Sequence, residues 1–264
     1  MADPEGVPAA QVERLAAMVR RSARVVVLTG AGISAESGLR TFRGATGEDL
    51  PADMRALWKD FDPQRLATPE AFEADPAGVS RWYDWRRLGC LAAEPNAGHL
   101  ALAALQRSVE GRGGSFTLLT QNVDRLHQRA GSRGVVELHG TIIDWRCTAT
   151  GRRVTPGPAA MERFPVPSPH AEGAWLRPDV VWFGEALPEE AVSAAVSAAE
   201  ACDLFVSVGT SAVVYPAAGF IQVARAHGAL TAEVNAEATP ISGVVDCTIR
   251  GRAAAVLPGV VARV

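Results

Sequence analysis

The sequence predicts an α/β fold, an open, doubly wound parallel sheet with a smaller domain formed by two insertions. Short runs of apolar, β-branched residues are continuous rather than alternating, which is typical of strands covered on both faces. Alanine-rich segments with helical spacing lie between these runs, and such alternation of strand and helix indicates a parallel sheet. Two stretches, 43–95 and 141–178, interrupt the alternation.

The predicted strands and helices follow one another along the rest of the chain. Strands are predicted at 24–29, 116–120, 135–138, 204–208 and 230–234. Helices are predicted at 12–20, 99–109, 188–201 and 216–226. Pro188 and Pro216 suit the first turn of a helix, because a missing amide hydrogen breaks no helical hydrogen bond there.

The two interrupting stretches have their own compositions. Residues 43–95 are polar and aromatic, whereas residues 141–178 contain six prolines. We expect the first to be a helical insertion, and both to meet as a small domain over the carboxyl edge of the sheet. The sheet domain would then comprise residues 1–42, 96–140 and 179–264.

The composition fits a globular protein and argues against several partners. Of the 264 residues, 48% are hydrophobic and 21% are charged, and the formal net charge is -3. That charge predicts no attraction to nucleic acid or to anionic membranes. No apolar run approaches the roughly 20 residues of a membrane-spanning helix, and the first residues lack the basic-then-apolar plan of a secretory signal. We expect a cytoplasmic protein and predict no particular oligomeric state.

A glycine loop follows the first predicted strand. Its sequence, Gly30-Ala31-Gly32-Ile33-Ser34-Ala35, has the Gly-x-Gly-x-x-Gly/Ala pattern of a Rossmann-like dinucleotide-binding turn. Such glycines let the backbone turn tightly and approach a pyrophosphate that faces a helix amino terminus. The acidic ribose ligand expected about 20 residues further on is absent, which disfavours an ordinary NAD dehydrogenase.

The glycine loop is the first of several motifs that occur in order along the chain. It continues through Glu36-Ser37-Gly38 into Thr41-Phe42-Arg43-Gly44. The others are Thr120-Gln121-Asn122-Val123-Asp124-Arg125-Leu126-His127, Leu138-His139-Gly140, Arg177-Pro178-Asp179-Val180-Val181-Trp182-Phe183-Gly184-Glu185, Val208-Gly209-Thr210-Ser211 and Glu233-Val234-Asn235. Together they resemble the sirtuins, the NAD-dependent protein deacylases, over nearly the whole chain.

The resemblance implies an enzyme that transfers the acyl group of a modified lysine to the ribose of NAD. Its products would be free lysine, nicotinamide and O-acyl-ADP-ribose. His139 would be the general base, a role that a near-neutral imidazole pKa allows. Asn122 and Asp124 would hold the nicotinamide amide and a nearby water, although Asp124 also suits a helix cap. A structural role is implied for His127, and none is predicted for His99, His170 and His227.

Further NAD contacts are implied by the same resemblance. Phe42 would shield the reacting carbon from water, and Gln121 would contact the ribose. Thr210 and Ser211 would face the phosphates, with a turn-forming role for Ser211 as the alternative. The complete expected set is Gly30, Ala31, Gly32, Ala35, Thr41, Phe42, Arg43, Gln121, Gly209, Thr210, Ser211, Asn235 and Ala253.

Tyr83 and Arg86 bear on which acyl group is removed. Residues three apart share a helix face, and a guanidinium with a phenol can bind a carboxylate through several donors. The pair resembles the acyl pocket of the sirtuin branch that prefers succinyl, malonyl or glutaryl lysine, as do Ala67 and Thr41. The alternative is an amphipathic helix with Arg86 and Arg87 in solvent. The full expected substrate set is Ala67, Tyr83, Arg86, Val181, Trp182 and Phe183.

The cysteines depart from the sirtuin pattern. Sirtuins usually hold a structural zinc with two Cys-x-x-Cys pairs, but here only Cys147 occupies such a position, and residues 169–173, just before Leu176, contain no cysteine. We therefore predict no bound zinc and a degenerate zinc-type module at 141–178. Packing around Trp145, Phe164 and Trp175 would have to hold that module together.

Two other functions use the same NAD pocket. An NAD glycohydrolase or ADP-ribosyltransferase would need no acyl-lysine channel, and a non-catalytic ADP-ribose-binding module would need no base. His139, together with Tyr83 and Arg86, favours deacylation over the first. The presence of His139, Asn122 and Asp124 argues against the second.

Overall fold

A six-stranded parallel sheet forms the centre of the larger unit. The computed structural model describes residues 6–39 and 63–264. In chain order the strands are β1 (Arg24–Thr29), β2 (Ser115–Thr120), β3 (Val136–Glu137), β4 (Gly140–Cys147), β5 (Arg153–Val154), β6 (Leu176–Val180), β7 (Leu204–Val208), β8 (Leu230–Asn235) and β9 (Cys247–Arg250). The large sheet has the order β3-β2-β1-β7-β8-β9, and all its pairs are parallel. The predicted α/β fold is confirmed.

Helices cover both faces of this sheet. In chain order the α-helices are α1 (Ala9–Arg21), α2 (Pro63–Leu66), α3 (Pro69–Ala74), α4 (Pro76–Ala92), α5 (Ala97–Gly111), α6 (Leu126–Arg129), α7 (Glu189–Ala201), α8 (Phe220–Ala226) and α9 (Ala253–Val261). Along β1, Val25 and Val27 pack in the core with α1, α5 and α9, while Val26 and Leu28 face the core with α7 and α8. Because successive side chains point to opposite faces, burial on both sides explains the continuous apolar runs.

The chain reverses its direction of travel across the sheet beside β1. From β1 it proceeds to β2 and β3 on one side, and later to β7, β8 and β9 on the other. This reversal creates a topological switch point at the carboxyl ends of β1 and β7. Open α/β sheets bind ligands at such a switch point.

A smaller antiparallel sheet, with the order β5-β4-β6, lies outside the large one. Its side chains share a core with α3 and α4, in which Trp82, Tyr83, Trp145 and Trp182 are buried. Parts of both predicted insertions thus pack together. Their boundaries as a domain stay a prediction.

The sequence missed three parts of the fold. It predicted no strand in the proline-rich stretch, where β4, β5 and β6 form and the register between β4 and β6 shifts. It also missed β9 and α9 near the end of the chain. Pro188 and Pro216 stand one residue before the first turn rather than in it, at the start of α7 and of the 3-10 turn Ala217–Gly219.

Within the described residues, no helix combines the length and apolar character needed to cross a membrane.

Candidate active site

Two glycine loops pack directly against each other at the switch point. The amide of Gly32 donates to the carbonyl oxygen of Gly209 at 2.8 Å. A Cβ on Gly30 would lie 2.9 Å from that oxygen, and a Cβ on Gly32 only 2.7 Å from it. Gly209 itself has a φ of +59° and faces the amide of Ile33. The glycines are therefore required for contact between the two loops.

The loop after β1 does not enter an α-helix. Residues Ala31–Ile33 and Ala35–Ser37 form two short 3-10 turns, and Gly38 ends the second with a φ of +82°. Within the described part of this loop no α-helix begins, so the expected helix amino terminus is not found there, and the position of a pyrophosphate stays a prediction. The polar contribution of the loop comes instead from individual backbone groups and from Ser34.

Ser34 joins the two polar residues that follow β2. Its hydroxyl donates to Asp124 Oδ2 at 2.7 Å and accepts from Asn122 Nδ2 at 3.1 Å. The Asn122 amide also donates to the Gly30 carbonyl oxygen at 3.1 Å. This contact ties the β2 loop to the glycine loop. All three side chains are buried, so the cluster is a fixed arrangement rather than a mobile surface.

Asp124 has two separate functions in this cluster. Its Oδ1 accepts from the amide of Leu126, the first residue of α6, at 2.9 Å. The N-cap position belongs to Arg125, so the alternative interpretation of Asp124 as the helix cap is not confirmed. Its Oδ2 faces Ser34. Burial raises the pKa of the Asp124 carboxyl, although the hydrogen bonds from Leu126 and Ser34 oppose the rise.

His139 lies at the same edge, between β3 and β4. Its Nδ1 is 3.0 Å from the carbonyl oxygen of Gln121. A carbonyl only accepts, so Nδ1 carries the proton and Nε2 keeps a free lone pair. Burial lowers the pKa of His139, and the hydrogen bond to Gln121 only partly offsets this. The imidazole is therefore neutral at physiological pH.

Residues 181–183 connect His139 to the small domain. The amide of Val181 donates to the His139 carbonyl oxygen at 3.0 Å, and that of Phe183 donates to the Ala67 carbonyl oxygen at 2.8 Å. Between them, Trp182 Nε1 donates to the Tyr83 hydroxyl at 3.0 Å. Five of the expected substrate residues are thereby brought together, two on the insertion 43–95 and three at the end of β6.

Arg86 and Arg87 point in different directions from α4. The guanidinium carbon of Arg86 lies 5.3 Å from the centre of the Tyr83 ring. Arg87 is fully buried, pairs with Asp84 at 2.7 Å and donates to the carbonyl oxygens of residues 157 and 159. The alternative interpretation, with both arginines in solvent, is wrong for Arg87.

The other expected cofactor residues have more varied positions. Gln121 Nε2 donates to Thr210 Oγ1 at 3.1 Å, which links the loops after β2 and β7. Asn235 ends β8, where its amide donates to the Glu237 carbonyl oxygen at 2.9 Å. Ala253 is buried at the start of α9. Thr41, Phe42 and Arg43 lie outside the described residues.

The profile of the Sir2 family matches residues 30–216. The chain belongs to this family. It is 48% identical over 250 residues to the NAD-dependent protein deacylase 2 of Pyrobaculum aerophilum, covering 95% of this chain and 94% of the relative. It is 44% identical over 246 residues to the NAD-dependent protein deacylase of Mycobacterium tuberculosis, covering 91% and 97%.

Solved structures agree with this placement. A Sir2 homologue in complex with NAD is 40% identical, with a TM-score of 0.84, covering 95% of this chain and 92% of the other. A Sir2 mutant with a deacetylated p53 peptide and 3'-O-acetyl ADP ribose is 28% identical, with a TM-score of 0.78, covering 94% and 96%. The Rossmann-like sheet of this Sir2 chain is therefore shared with both.

Two histidines behind the Sir2 site had no predicted catalytic role. His99 Nε2 lies 3.4 Å from Ser34 Oγ, and His127 Nε2 lies 2.9 Å from Thr29 Oγ1. Their rings are 4.9 Å apart. Burial lowers the pKa of His99 to about 4 and, with the charge of His99, that of His127 to about 3. Both histidines are neutral and support the cluster around Ser34. The sequence feature that could have indicated this role is the position of Ser34 within the glycine motif.

Cys147 of this Sir2 chain lies among hydroxyl groups. Hydrogen bonds from Ser168 and Thr150 lower the pKa of its thiol to about 7. Within the described ranges, no group of three or more His, Cys, Asp or Glu side chains could hold a metal ion. Absence of zinc stays a prediction.

Packing and one buried ion pair hold the proline-rich module. Trp145 is fully buried as expected, whereas Trp175 and Phe164 are half-buried at its edge. The sequence missed the contribution of Asp84 and Arg87. Asp84 accepts from the amide of Met161 at 2.9 Å, and Arg87 binds two carbonyl groups of the same loop. In the sequence, only the three-residue spacing of Asp84 and Arg87 on a helix could have indicated this ion pair.

Proposed function

We propose that this chain is an NAD-dependent protein-lysine deacylase. The observation that carries the proposal is the geometry of His139, whose protonated Nδ1 is held by Gln121 while the lone pair of Nε2 stays available. The names of the relatives support NAD and acylated proteins as substrates. The described residues at the switch point fit a dinucleotide, because glycine loops and buried polar side chains meet there.

The roles of the site residues follow from their contacts. Bound NAD would supply the ribose that accepts the acyl group, with nicotinamide as the leaving group. Gly30, Gly32 and Gly209 would bring backbone close to the phosphates, and Thr210 would offer a hydroxyl there. Asn122 and Asp124 are held by Ser34 in positions suited to binding the nicotinamide amide.

His139 would remove a proton from a ribose hydroxyl. A neutral imidazole can do so at physiological pH, and such catalysis contributes roughly 100- to 10,000-fold. The bond to Gln121 becomes stronger when the ring acquires a positive charge, because charge-assisted hydrogen bonds are the stronger ones. The backbone at His139 is fixed through Val181, so the imidazole and the segment that would border the acyl-lysine are parts of one rigid arrangement.

We further propose a preference for acidic acyl groups, namely succinyl, malonyl and glutaryl. Tyr83 is buried, and its hydroxyl accepts from Trp182, so its own proton can be donated to a carboxylate. Arg86 adds a positive charge beside the same ring. Ala67 is small and buried, and its carbonyl group is tied to Phe183. These three features support a pocket that is wide and positively charged.

Matched peptides test both proposals. The protein is incubated with NAD and peptides that carry succinyl, malonyl, glutaryl, acetyl or crotonyl lysine, and products are ranked by mass spectrometry. We expect O-acyl-ADP-ribose from all active peptides, and the highest kcat/KM for the acidic ones. Nicotinamide release without any peptide would favour the glycohydrolase instead, and NAD binding without turnover would favour the binding module.

Arg86→Met tests the acyl preference alone. Losing hydrogen bonds to a charged group costs about 1.5–3 kcal/mol, so desuccinylation should fall roughly 10- to 100-fold, while deacetylation falls much less. Arg81→Met is the matched control, since Arg81 is on the same helix but lies over Phe164, 5.6 Å from its ring centre. Equal loss of both activities in Arg86→Met would contradict the assignment.

A further inference from the structure

Three successive contacts lead from Glu185 to the Tyr83 hydroxyl. Glu185 accepts from both terminal nitrogens of Arg177, at 2.6 and 2.9 Å. The guanidinium carbon of Arg177 lies 3.2 Å from the centre of the Trp182 ring. The indole Nε1 of Trp182 then donates to the Tyr83 hydroxyl at 3.0 Å.

The indole of Trp182 is restrained on its other sides as well. Its ring is 5.3 Å from that of Phe72, centre to centre, and the residue is only 3% exposed. Its backbone amide donates to Glu185 Oε2 at 2.8 Å. Arg177 also donates to the Val180 carbonyl oxygen at 3.0 Å. The indole N–H is therefore aimed in one direction by the fold, without help from a substrate.

This arrangement decides how the Tyr83 hydroxyl can act. A phenol has one proton to donate and can also accept. Because Trp182 fills one accepting position, the hydroxyl is held with its proton directed elsewhere, and the guanidinium of Arg86 lies beside the same ring. Without the indole donor, the hydroxyl would rotate freely and its proton would no longer be directed at a ligand.

We propose that Trp182 is a positioning residue for acyl selectivity. Its N–H orients the Tyr83 hydroxyl toward the carboxylate of an acidic acyl group, and the Glu185–Arg177 pair fixes the indole. The inference rests on the proposed preference for acidic acyl groups and adds three residues, 177, 182 and 185, to its determinants.

A double-mutant cycle tests the inference. Trp182→Phe keeps an aromatic ring but removes the donor, and Tyr83→Phe removes the hydroxyl. We expect Trp182→Phe to lower the ratio of succinyl to acetyl kcat/KM about 3- to 10-fold, as for one neutral hydrogen bond, chiefly through a higher KM for the succinyl peptide. In the Tyr83→Phe background it should change the ratio no further, because both variants remove the same interaction.

Trp175→Phe is the matched control. Trp175 is a half-buried tryptophan next to the small sheet whose backbone pairs with that of Pro167, and its variant should keep the parental ratio. Circular dichroism and the Tm establish that each variant is folded.

If Trp182→Phe does not fold, Arg177→Lys replaces it, since lysine keeps the positive charge but loses the bidentate pairing with Glu185. Arg177→Lys should also lower the ratio of succinyl to acetyl kcat/KM.

The outcomes separate the inference from the function on which it rests. An equal effect of Trp182→Phe with and without the Tyr83 hydroxyl, or an unchanged ratio in the folded variant, overturns the positioning role while acidic-acyl removal stands. A parent protein that deacetylates but does not desuccinylate overturns the proposed preference itself.

Discussion

The imidazole of His139 and the carbonyl group of Gln121 are joined by a 3.0 Å hydrogen bond through Nδ1. Eighteen residues separate them in the chain, yet this contact determines which ring nitrogen can act as a base. It holds the imidazole at the loop that also carries Asn122 and Asp124. The chemistry of the site is therefore set by backbone as much as by side chains.

His139→Asn should abolish most turnover. The asparagine amide can still donate to Gln121, but the basic Nε2 is gone, so kcat should fall roughly 100- to 10,000-fold while NAD affinity is retained. The pH profile of the parent provides a second measurement. Because burial lowers the pKa of His139, activity should persist as the pH falls through 6.5, the ordinary value for histidine, and decline only at lower pH. An acid limb centred above 6.5 would contradict this.

Gly32→Ala should weaken NAD binding. The added Cβ would lie 2.7 Å from the Gly209 carbonyl oxygen, so one of the two loops must move, at a cost of about 1–3 kcal/mol. We expect the KM for NAD to rise roughly 5-fold or more, as measured with a saturating peptide. Gly89→Ala is the control, because a Cβ there meets nothing within 4 Å. Equal NAD kinetics in the two variants would show that the loop contact is unimportant.

The buried pair His99 and His127 should make the protein sensitive to acid. Both have a lowered pKa in the folded state, to about 4 and about 3, so the unfolded chain binds protons more readily at mildly acidic pH. Stability should therefore fall as the pH is lowered from about 6.5, by up to about 1.4 kcal/mol per pH unit for each group.

Urea unfolding between pH 7 and pH 4 measures this effect. His127→Gln should show a shallower dependence of the free energy of unfolding on pH than the parent. His227→Gln is the matched control, since His227 is exposed and its variant should follow the parental slope. Identical slopes in all three proteins would rule out the buried pair as the source.

Purified protein should contain substoichiometric zinc. Cys147 is held by hydroxyl groups, and packing around Trp145 together with the Asp84–Arg87 pair holds the module. A strong chelator should therefore leave the Tm and the deacylase activity unchanged. Elemental analysis showing one zinc per chain, or a large drop in the Tm with chelator, would contradict the prediction.

Much of the large sheet could be predicted because each strand is marked by a continuous run of apolar residues in the sequence. Residues 204–208 were predicted as a strand and form one, since every side chain in β7 is buried. The small sheet was missed because β5 has only two residues, the β4–β6 register shifts between Thr141 and Trp145, and prolines obscure any alternation. A pattern of hydrophobic residues cannot reveal such a sheet when its pairing is irregular.

The site could be predicted only as far as its motifs extend. His139, Asn122 and Asp124 were predicted as site residues because each lies in a short motif after a strand, and their roles stay predictions. Ser34 was read as part of a turn, although its hydroxyl joins Asn122 to Asp124. Only the folded chain shows that role, because the glycine loop and the β2 loop are about ninety residues apart.

The sequence by itself determined the α/β fold, the glycine loop and the order of the motifs, because these depend on neighbouring residues and on the carboxyl ends of strands. The tertiary structure alone decided which side chains touch across the chain. Trp182 and Tyr83 are 99 residues apart, and the buried Arg87 binds carbonyl groups in the loop at 157–161, about seventy residues further along the chain. Such contacts arise from packing between distant segments, for which no local pattern exists.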